Sequence, residues 1–295
     1  MGQEDNYAGS AKCMEKLLRI SANPMQIYRE VTKTADEIAD LVSEETPTME
    51  LSANEKVYAM LDGGMLLTRP SEWKEAKIGR VFKESSIHQL SEKRKEIRIS
   101  EYVAHLGNHK EFEVKMSVLT DKYEPLNEHL IFINDGAKWI WNWIESEYPK
   151  ATQILDYYHA KEHLGTFAGF YFRDKIERQQ WIETSGNLLK KEGVEAVINL
   201  IKGLAQKTTT VEKEKVKLLN YYTNNLNRMD YPAYIRQGLL IGSGAIEAAH
   251  RTISQKRLKQ SGQRWSINGA QNVLNLRVLH KSNRWSGVQK LLKAA

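Results

Sequence analysis

The sequence predicts an α/β protein, with a sheet covered by helices and an all-helical segment set into it. Three observations lead there. Between residues 57 and 158, apolar runs of strand length alternate with amphipathic runs of helical spacing. From His159 to about Met229 no stretch reads as a strand, and TFAGFYFRDKIERQQWIET, GVEAVINLIKGLAQK and VEKEKVKLLNYYTNNLNRM all keep helical periodicity. Two strand-like runs lead into Asp-Gly pairs, Asp62-Gly63 and Asp135-Gly136, which puts carboxylates where α/β sheets form their ligand sites.

Taken in order, residues 1–10 are polar and read as disordered. Residues 11–45 hold two helices, AKCMEKLLRI and PMQIYREVTKTADEIADLV. The second starts at Asn23-Pro24, with the proline at its first position and Ile27, Val31, Ala35, Ile38 and Leu41 on one face. The pair reads as a packing arm, or alternatively as a DNA-binding helix pair. SEETPTMELSANE (43–55) is a polar linker. KVYAMLDGGML is a strand followed by a turn at Gly63-Gly64, and EAKIGRVFKES and KEIRISEYVAHLG are two more strands. HKEFEVKMSVLTDKY is a helix, HLIFIND a strand, Ala137 to Glu147 a Trp-rich helix, and ATQILDYY a strand ending at Asp156. After the helical block, a glycine-framed turn, Ile241-Gly242-Ser243-Gly244, opens a helix running to about Lys259. SGQRWS is a turn, and two more helices end the chain. The expected division is an arm and linker over 1–54, a first sheet segment over 55–164, a helical insertion over 165–238 and a last segment over 239–295.

Composition narrows the function classes. With 295 residues the chain can bury a substantial core in one large or two small domains. Cys13 is the only cysteine, so neither an internal disulfide nor a CxxC zinc site forms. The polar start MGQEDN lacks a secretory apolar region and a myristoylation signal, and no apolar run reaches the length of a membrane span. A cytoplasmic location is the expectation. Net charge is +6, but it is unevenly placed: residues 248–295 hold ten Lys and Arg and no Asp or Glu. A basic stretch of this kind is a solvated face or a surface for a polyanion such as nucleic acid.

Asp62 and Asp135, with Glu247 at the start of the basic stretch, are three hard oxygen donors of the type that Mg²⁺ or Mn²⁺ accept. Two such ions about 3.5–4 Å apart would serve an in-line phosphoryl displacement. Each Asp-Gly is also an ordinary turn signal. A rival pattern is His159-Ala-Lys-Glu162-His163, an HxxEH that places two histidines on one helix face as in zinc peptidases. Trp265, next to Arg264, is of a type that stacks on a base or packs in a core.

In chain order, LDGGMLLTRPSEWKEAKIGRVF, YVAHLG, INDGAKWIWNWI, QILDYYHAKEHLG and IGSGAIEAAHRTISQKRLKQSGQRWS resemble the catalytic domain of bacterial insertion-sequence DDE transposases. The nearest branch is the Kra type, related to Mutator-like elements, and the likeness covers roughly residues 55–285. It implies a ribonuclease-H-like mixed sheet flanked by helices and interrupted by a helical insertion. It also implies an enzyme that cleaves element ends and transfers strands with Mg²⁺ or Mn²⁺, two ions, held by Asp62, Asp135 and Glu247 as catalytic acids and metal ligands. Asp156 and His159 resemble the family's D-x-x-H element, close to the active site. Arg251, Lys256, Arg257, Lys259, Arg264 and Trp265 are the expected DNA contacts. Double-stranded DNA is the implied partner, with a homodimer or larger synaptic assembly and nucleoid association when bound. Relatives carry a longer, cysteine-rich N-terminal region, so a truncated form is expected here. That leaves a second reading, a catalytically idle DNA-binding remnant, beside the zinc peptidase.

Overall fold

The computed structural model describes residues 2–38, 54–91, 94–123 and 128–294. The predicted 43–55 linker lies almost wholly outside them, as does Leu41. Five strands form one mixed sheet in the hydrogen-bonded order β5-β2-β1-β6-β7, flanked by helices. The chain divides into two compact units, Met1–Leu130 with Glu147–Ala151 and Gly244–Ala295, and Ile131–Ser146 with Thr152–Ser243.

In the first unit β1 (Val57–Thr68), β2 (Glu72–Lys83) and β5 (Glu101–Leu106) form an antiparallel meander. The turn expected at Gly63-Gly64 is not there. β1 runs straight through both glycines, in register with Lys77 and Ala76, and the chain reverses at residues 69–71. Of the two, Gly64 faces a fixed neighbour and Gly63 only the end of the flexible Glu75 side chain. A Cβ at Gly63 would meet the Glu75 carboxylate at 2.1 Å, and one at Gly64 would sit 3.1 Å from the His250 ring. The single strand expected over KEIRISEYVAHLG is also divided. Its first part is β4 (Arg94–Ile97), which pairs with β3 (Ile87–Ser91) in a separate, largely exposed hairpin. Nothing in the exposed residues of that hairpin alternates strongly enough to announce it.

α3 (His109–Tyr123) covers one face of the meander. It comes close because β2 has Gly79 there, where a Cβ would fall 2.3 Å from Met116 Sδ and 2.9 Å from a Val103 methyl. Lys122 and the Tyr123 hydroxyl both donate to buried Glu101 on β5, at 2.6 and 3.0 Å. Gly79→Ala should therefore destabilise the protein by about 1–3 kcal/mol through overpacking. The urea midpoint falls while the slope of the transition is unchanged.

Arg80 and Ile78, next to Gly79 on β2, point to the opposite face, where α10 (Gly244–His250) packs. A π-helical turn (Arg251–Gln255) and a short last turn (Lys256–Leu258) extend α10, so the expected single helix to about Lys259 is interrupted. α11 (Ile267–Lys281) lies against β5, and α12 (Trp285–Ala294) ends the chain. Residues 2–10 are ordered, contrary to the expectation of disorder. α1 (Tyr7–Cys13) is capped by Asn6, and Gln3 and Ser10 are buried. α2 (Pro24–Glu37) begins at Asn23-Pro24 as expected, and the structure adds a capping box there, the Asn23 and Gln26 side chains each accepting the other's backbone N–H at 2.9 Å. Its apolar face seals a small core of Ala35, Ile38, Leu276, Leu279 and Val288.

The second unit holds the parallel pair β6 (Leu130–Asn134) and β7 (Thr152–Leu155) and the helix between them, α4 (Lys138–Glu147). β6 is buried throughout, and Trp143 packs edge-on against Phe132 at 5.7 Å. The rest of the unit is helical: α5 (Tyr157–Tyr171), α6 (Lys175–Lys191), α7 (Val194–Lys202), α8 (Thr209–Asn224) and α9 (Tyr231–Arg236). Asp174, Thr208 and Asp230 cap three of them, as their side-chain types predict. Among the described residues no helix is long and apolar enough to cross a membrane.

Candidate active site

Asp62 sits in the middle of β1, where the strand changes from wholly buried to partly exposed. It shares the face of Ile78, the face that α10 covers. Its carboxylate accepts the Gly63 N–H at 2.7 Å. His250, at the end of α10 and almost fully buried, donates from Nε2 to the Asp62 carbonyl at 3.0 Å, with Asp62 Oδ2 3.6 Å away. Glu247 is exposed, in the first turn of the same helix and one turn before His250, so the two share a face. The positive end of a helix favours a carboxylate at that place. Buried Arg80 fixes the turn: Nη1 donates to the Ala245 carbonyl at 2.7 Å and Nε to Ser100 Oγ at 3.0 Å. The first unit thus brings Asp62, His250 and the helix carrying Glu247 together.

Asp135 belongs to the second unit, directly after β6. Gly136 follows with φ +102, and a Cβ there would press on Leu155 at 3.1 Å, so both conformation and space call for glycine. Asp135 Oδ1 accepts the Ala137 N–H at 3.2 Å, and its carbonyl accepts the Tyr221 hydroxyl at 3.4 Å. Asp156 ends β7 and caps α5. Its buried carboxylate accepts the Tyr158 N–H at 2.7 Å and the Ser243 hydroxyl. Ser243 immediately precedes α10, and Gly242 beside it leaves room for the Tyr158 ring. The buried carboxylate of Asp156 therefore ties Ser243 to the start of α5 within the second unit.

His159, His163 and Glu162 lie on α5. His159 Nδ1 is 3.4 Å from Glu162, and the two imidazoles meet edge to face at 5.1 Å. His163 stacks on Tyr221 at 3.8 Å. Burial, with Asp135, Asp156 and Glu162 nearby, pushes the Tyr221 phenol far up, so it stays a proton donor. Burial and His159 push His163 below its usual 6.5, against the pull of Glu162. The unfolded chain therefore takes up more protons than the folded one as pH falls through the unfolded pKa. The stability that neutral His163 contributes is whole above about pH 6.5 and is lost below it. The melting temperature should drop between about pH 7 and about pH 5, less steeply in His163→Gln than in the wild type.

The expected DNA contacts divide into two groups. Arg251, Lys256, Lys259 and Arg264 are exposed. Lys256 also reaches Glu4 at 3.2 Å, and Lys259 Nζ lies beside Gly64 on the Asp62 face. Arg257 and Trp265 are not on the surface. Arg257 is 1% exposed, its guanidinium 4.8 Å from the ring centres of both Tyr7 and Trp265, and Trp265 donates its indole N–H to the Leu258 carbonyl. The sequence places both in a basic run, but packing by the N-terminal segment draws them inward.

Asp62, Asp135 and Glu247 carry the hard oxygens that Mg²⁺ or Mn²⁺ take. Among the described residues no group of three or more His, Cys, Asp or Glu side chains is gathered to hold an ion. Asp62 and Glu247 belong to the first unit and Asp135 to the second. Tyr221, His163, His250, Ser243 and Arg80 were not singled out for the acids they touch. All but Tyr221 stand in quoted motifs, but the contacts of Arg80, His250, Ser243 and Tyr221 join distant parts of the chain. Compared with known proteins, the chain matches no family model and no curated relative.

Proposed function

We propose that the chain is a DDE-type DNA transposase, on a ribonuclease-H-like fold, that cleaves strands at insertion-sequence ends and joins them to a target. The observation that carries the reading is where the acids stand along the fold. Asp62 is on the first sheet strand, Asp135 directly follows β6, and Glu247 begins the helix after the long helical segment. The mixed five-stranded sheet is compatible with that fold. Asp62, Asp135 and Glu247 are the residues that would hold Mg²⁺ or Mn²⁺. When bound, such ions activate the attacking oxygen and stabilise the leaving one in an in-line phosphoryl displacement.

The chain's own residues do the rest. His250 and Arg80 hold α10 and its acid against β1 and β2. In the second unit, Asp156 holds Ser243 and Tyr221 steadies the turn after β6. Exposed Arg251, Lys256, Lys259 and Arg264 take DNA phosphates, so affinity falls steeply with salt. Synapsis of two ends calls for a homodimer or larger assembly on the DNA.

The test is strand cleavage of a plasmid carrying the DNA that flanks this gene on both sides, with Mg²⁺ or Mn²⁺. Nicks mapping to the flanks support the reading. DNA that is bound but uncut with either ion gives the place to a non-catalytic DNA-binding protein.

A further inference from the structure

A second site lies wholly within the first unit, away from the acids on β1 and α10. It is a cavity of about 590 Å³, a volume suited to a small ligand. Three arginines line it, Arg69, Arg257 and Arg264, and among the described residues no Asp or Glu does. Three aromatic rings line it as well: Tyr7 meets Tyr28 edge to face at 5.6 Å and Trp265 at 6.5 Å.

The polar groups of this cavity are incompletely paired. Arg257 is 1% exposed, and its Nε donates to the Gly2 carbonyl at 3.1 Å. Its Nη1 and Nη2 are buried with no hydrogen-bond partner, and neither has Gln263 Oε1, an acceptor on the same wall. Unpaired buried donors on a cation are costly, and a ligand that accepts from them recovers that cost. The N-terminus of α11 adds its positive end, since Ser266 and Gly269 line the cavity too. Arg69 and Arg264 are exposed at the mouth, and Arg264 is steadied by Ser71 Oγ at 3.3 Å.

We infer that this cavity binds one unpaired nucleotide of a DNA strand. The base enters among Tyr7, Tyr28 and Trp265, accepts from Arg257 and donates an exocyclic amine proton to Gln263 Oε1. Arg69 and Arg264 hold its phosphate. The inference rests on the DNA reading above for the source of the nucleotide, while the cavity chemistry is the same for a free nucleoside monophosphate. It also gives Arg257 and Trp265 a DNA role that their burial denies them on an open surface.

The experiment uses the full chain and three probes: a blunt duplex, the same duplex with one unpaired adenine bulged out, and free dAMP. Stacking and pairing of one base should tighten binding of the bulged duplex about 10-fold over the blunt one. In Gln263→Leu and Arg69→Gln that ratio falls toward one. Arg257→Gln is read alongside them only if its melting curve is intact. Equal affinity for both duplexes, with no dAMP binding, overturns the cavity assignment and leaves the DNA reading standing. Binding of dAMP that is lost in Gln263→Leu, with neither duplex bound, keeps the site and overturns the DNA reading.

Discussion

Asp62→Asn, Asp135→Asn and Glu247→Gln should each lower strand cleavage by roughly 10²- to 10³-fold, the scale reached when a group stabilising developing charge is removed. Each change keeps the shape of the side chain and deletes one negative charge. Asp62 accepts from Gly63 N–H and Asp135 from Ala137 N–H, and an amide oxygen accepts in the same way. Glu247 is exposed. Stability should therefore stay within about 1 kcal/mol of the wild type, and DNA binding without metal should persist. Asp156→Asn is the instructive contrast. Its carboxylate is buried, caps α5 and holds Ser243, so both the melting temperature and cleavage fall. Cleavage that survives any one of the three substitutions removes that residue from the site. Cleavage that survives all three ends the assignment of the acids.

How much of this was legible in the sequence depends on the range of the forces involved. α3 and the start of α2 at Asn23-Pro24 are legible almost residue for residue, because periodicity and helix-start signals are local. β6 is legible as a compact apolar run, whereas the strand expected over ATQILDYY is confined to Thr152–Leu155, its two tyrosines opening α5. Gly63-Gly64 misleads because the pair lies inside a strand, and at Gly64 the neighbour is tertiary: the buried His250 ring stands 3.1 Å from where a Cβ would be. The split in Gly244–Leu258 between α- and π-helical turns leaves no mark on periodicity. Candidate acids can be chosen by type, and Asp135 and Glu247 stand at a strand end and a helix start as expected, but Asp62, expected at a strand end, lies in the middle of β1. Their supports cannot be chosen this way. Arg80 reaches Ala245 across 165 residues and His250 reaches Asp62 across 188, and only the folded chain makes such pairs. The basic tail was read as one face because charge is visible in sequence and burial is not.

Arg277 shows what that hidden burial does, and Arg277→Met should be the most destabilising of the changes considered. Arg277 stands on α11 at 0% exposure. Its Nε donates to the Ile253 carbonyl at 2.8 Å, Nη2 to the Thr252 carbonyl and Nη1 to the Gln3 carbonyl at 2.6 Å. Two of those acceptors belong to the π-helical turn after α10 and the third to the N-terminal segment, so one planar fork ties three parts of the chain. Burial pulls the guanidinium pKa down, and Glu4, 3.4 Å away, pulls it back up. For Glu4 itself, burial pushes the carboxyl up, but Arg277, Lys256 and His280 outweigh it and the net shift is downward. Methionine matches the length and supplies none of the donors, which leaves three carbonyls and Glu4 without the cation. The cost should be about 3–5 kcal/mol, the range for removing one member of a buried charged network. The melting temperature then falls by about 10 °C. Protease should cut within residues 2–18 before the rest of the chain unfolds. Arg277→Lys keeps the charge but not the fork and should fall between the two. An unchanged melting curve and protease pattern in Arg277→Met would show that the N-terminal segment is held by Arg257 and the α2 core alone. The same substitution bears on DNA binding through its salt dependence. A cation consumed in folding releases no counterions from DNA, so the salt slope of duplex binding should be unchanged in any Arg277 variant that remains folded. Loss of exposed Lys259 or Arg251 should reduce that slope by about one.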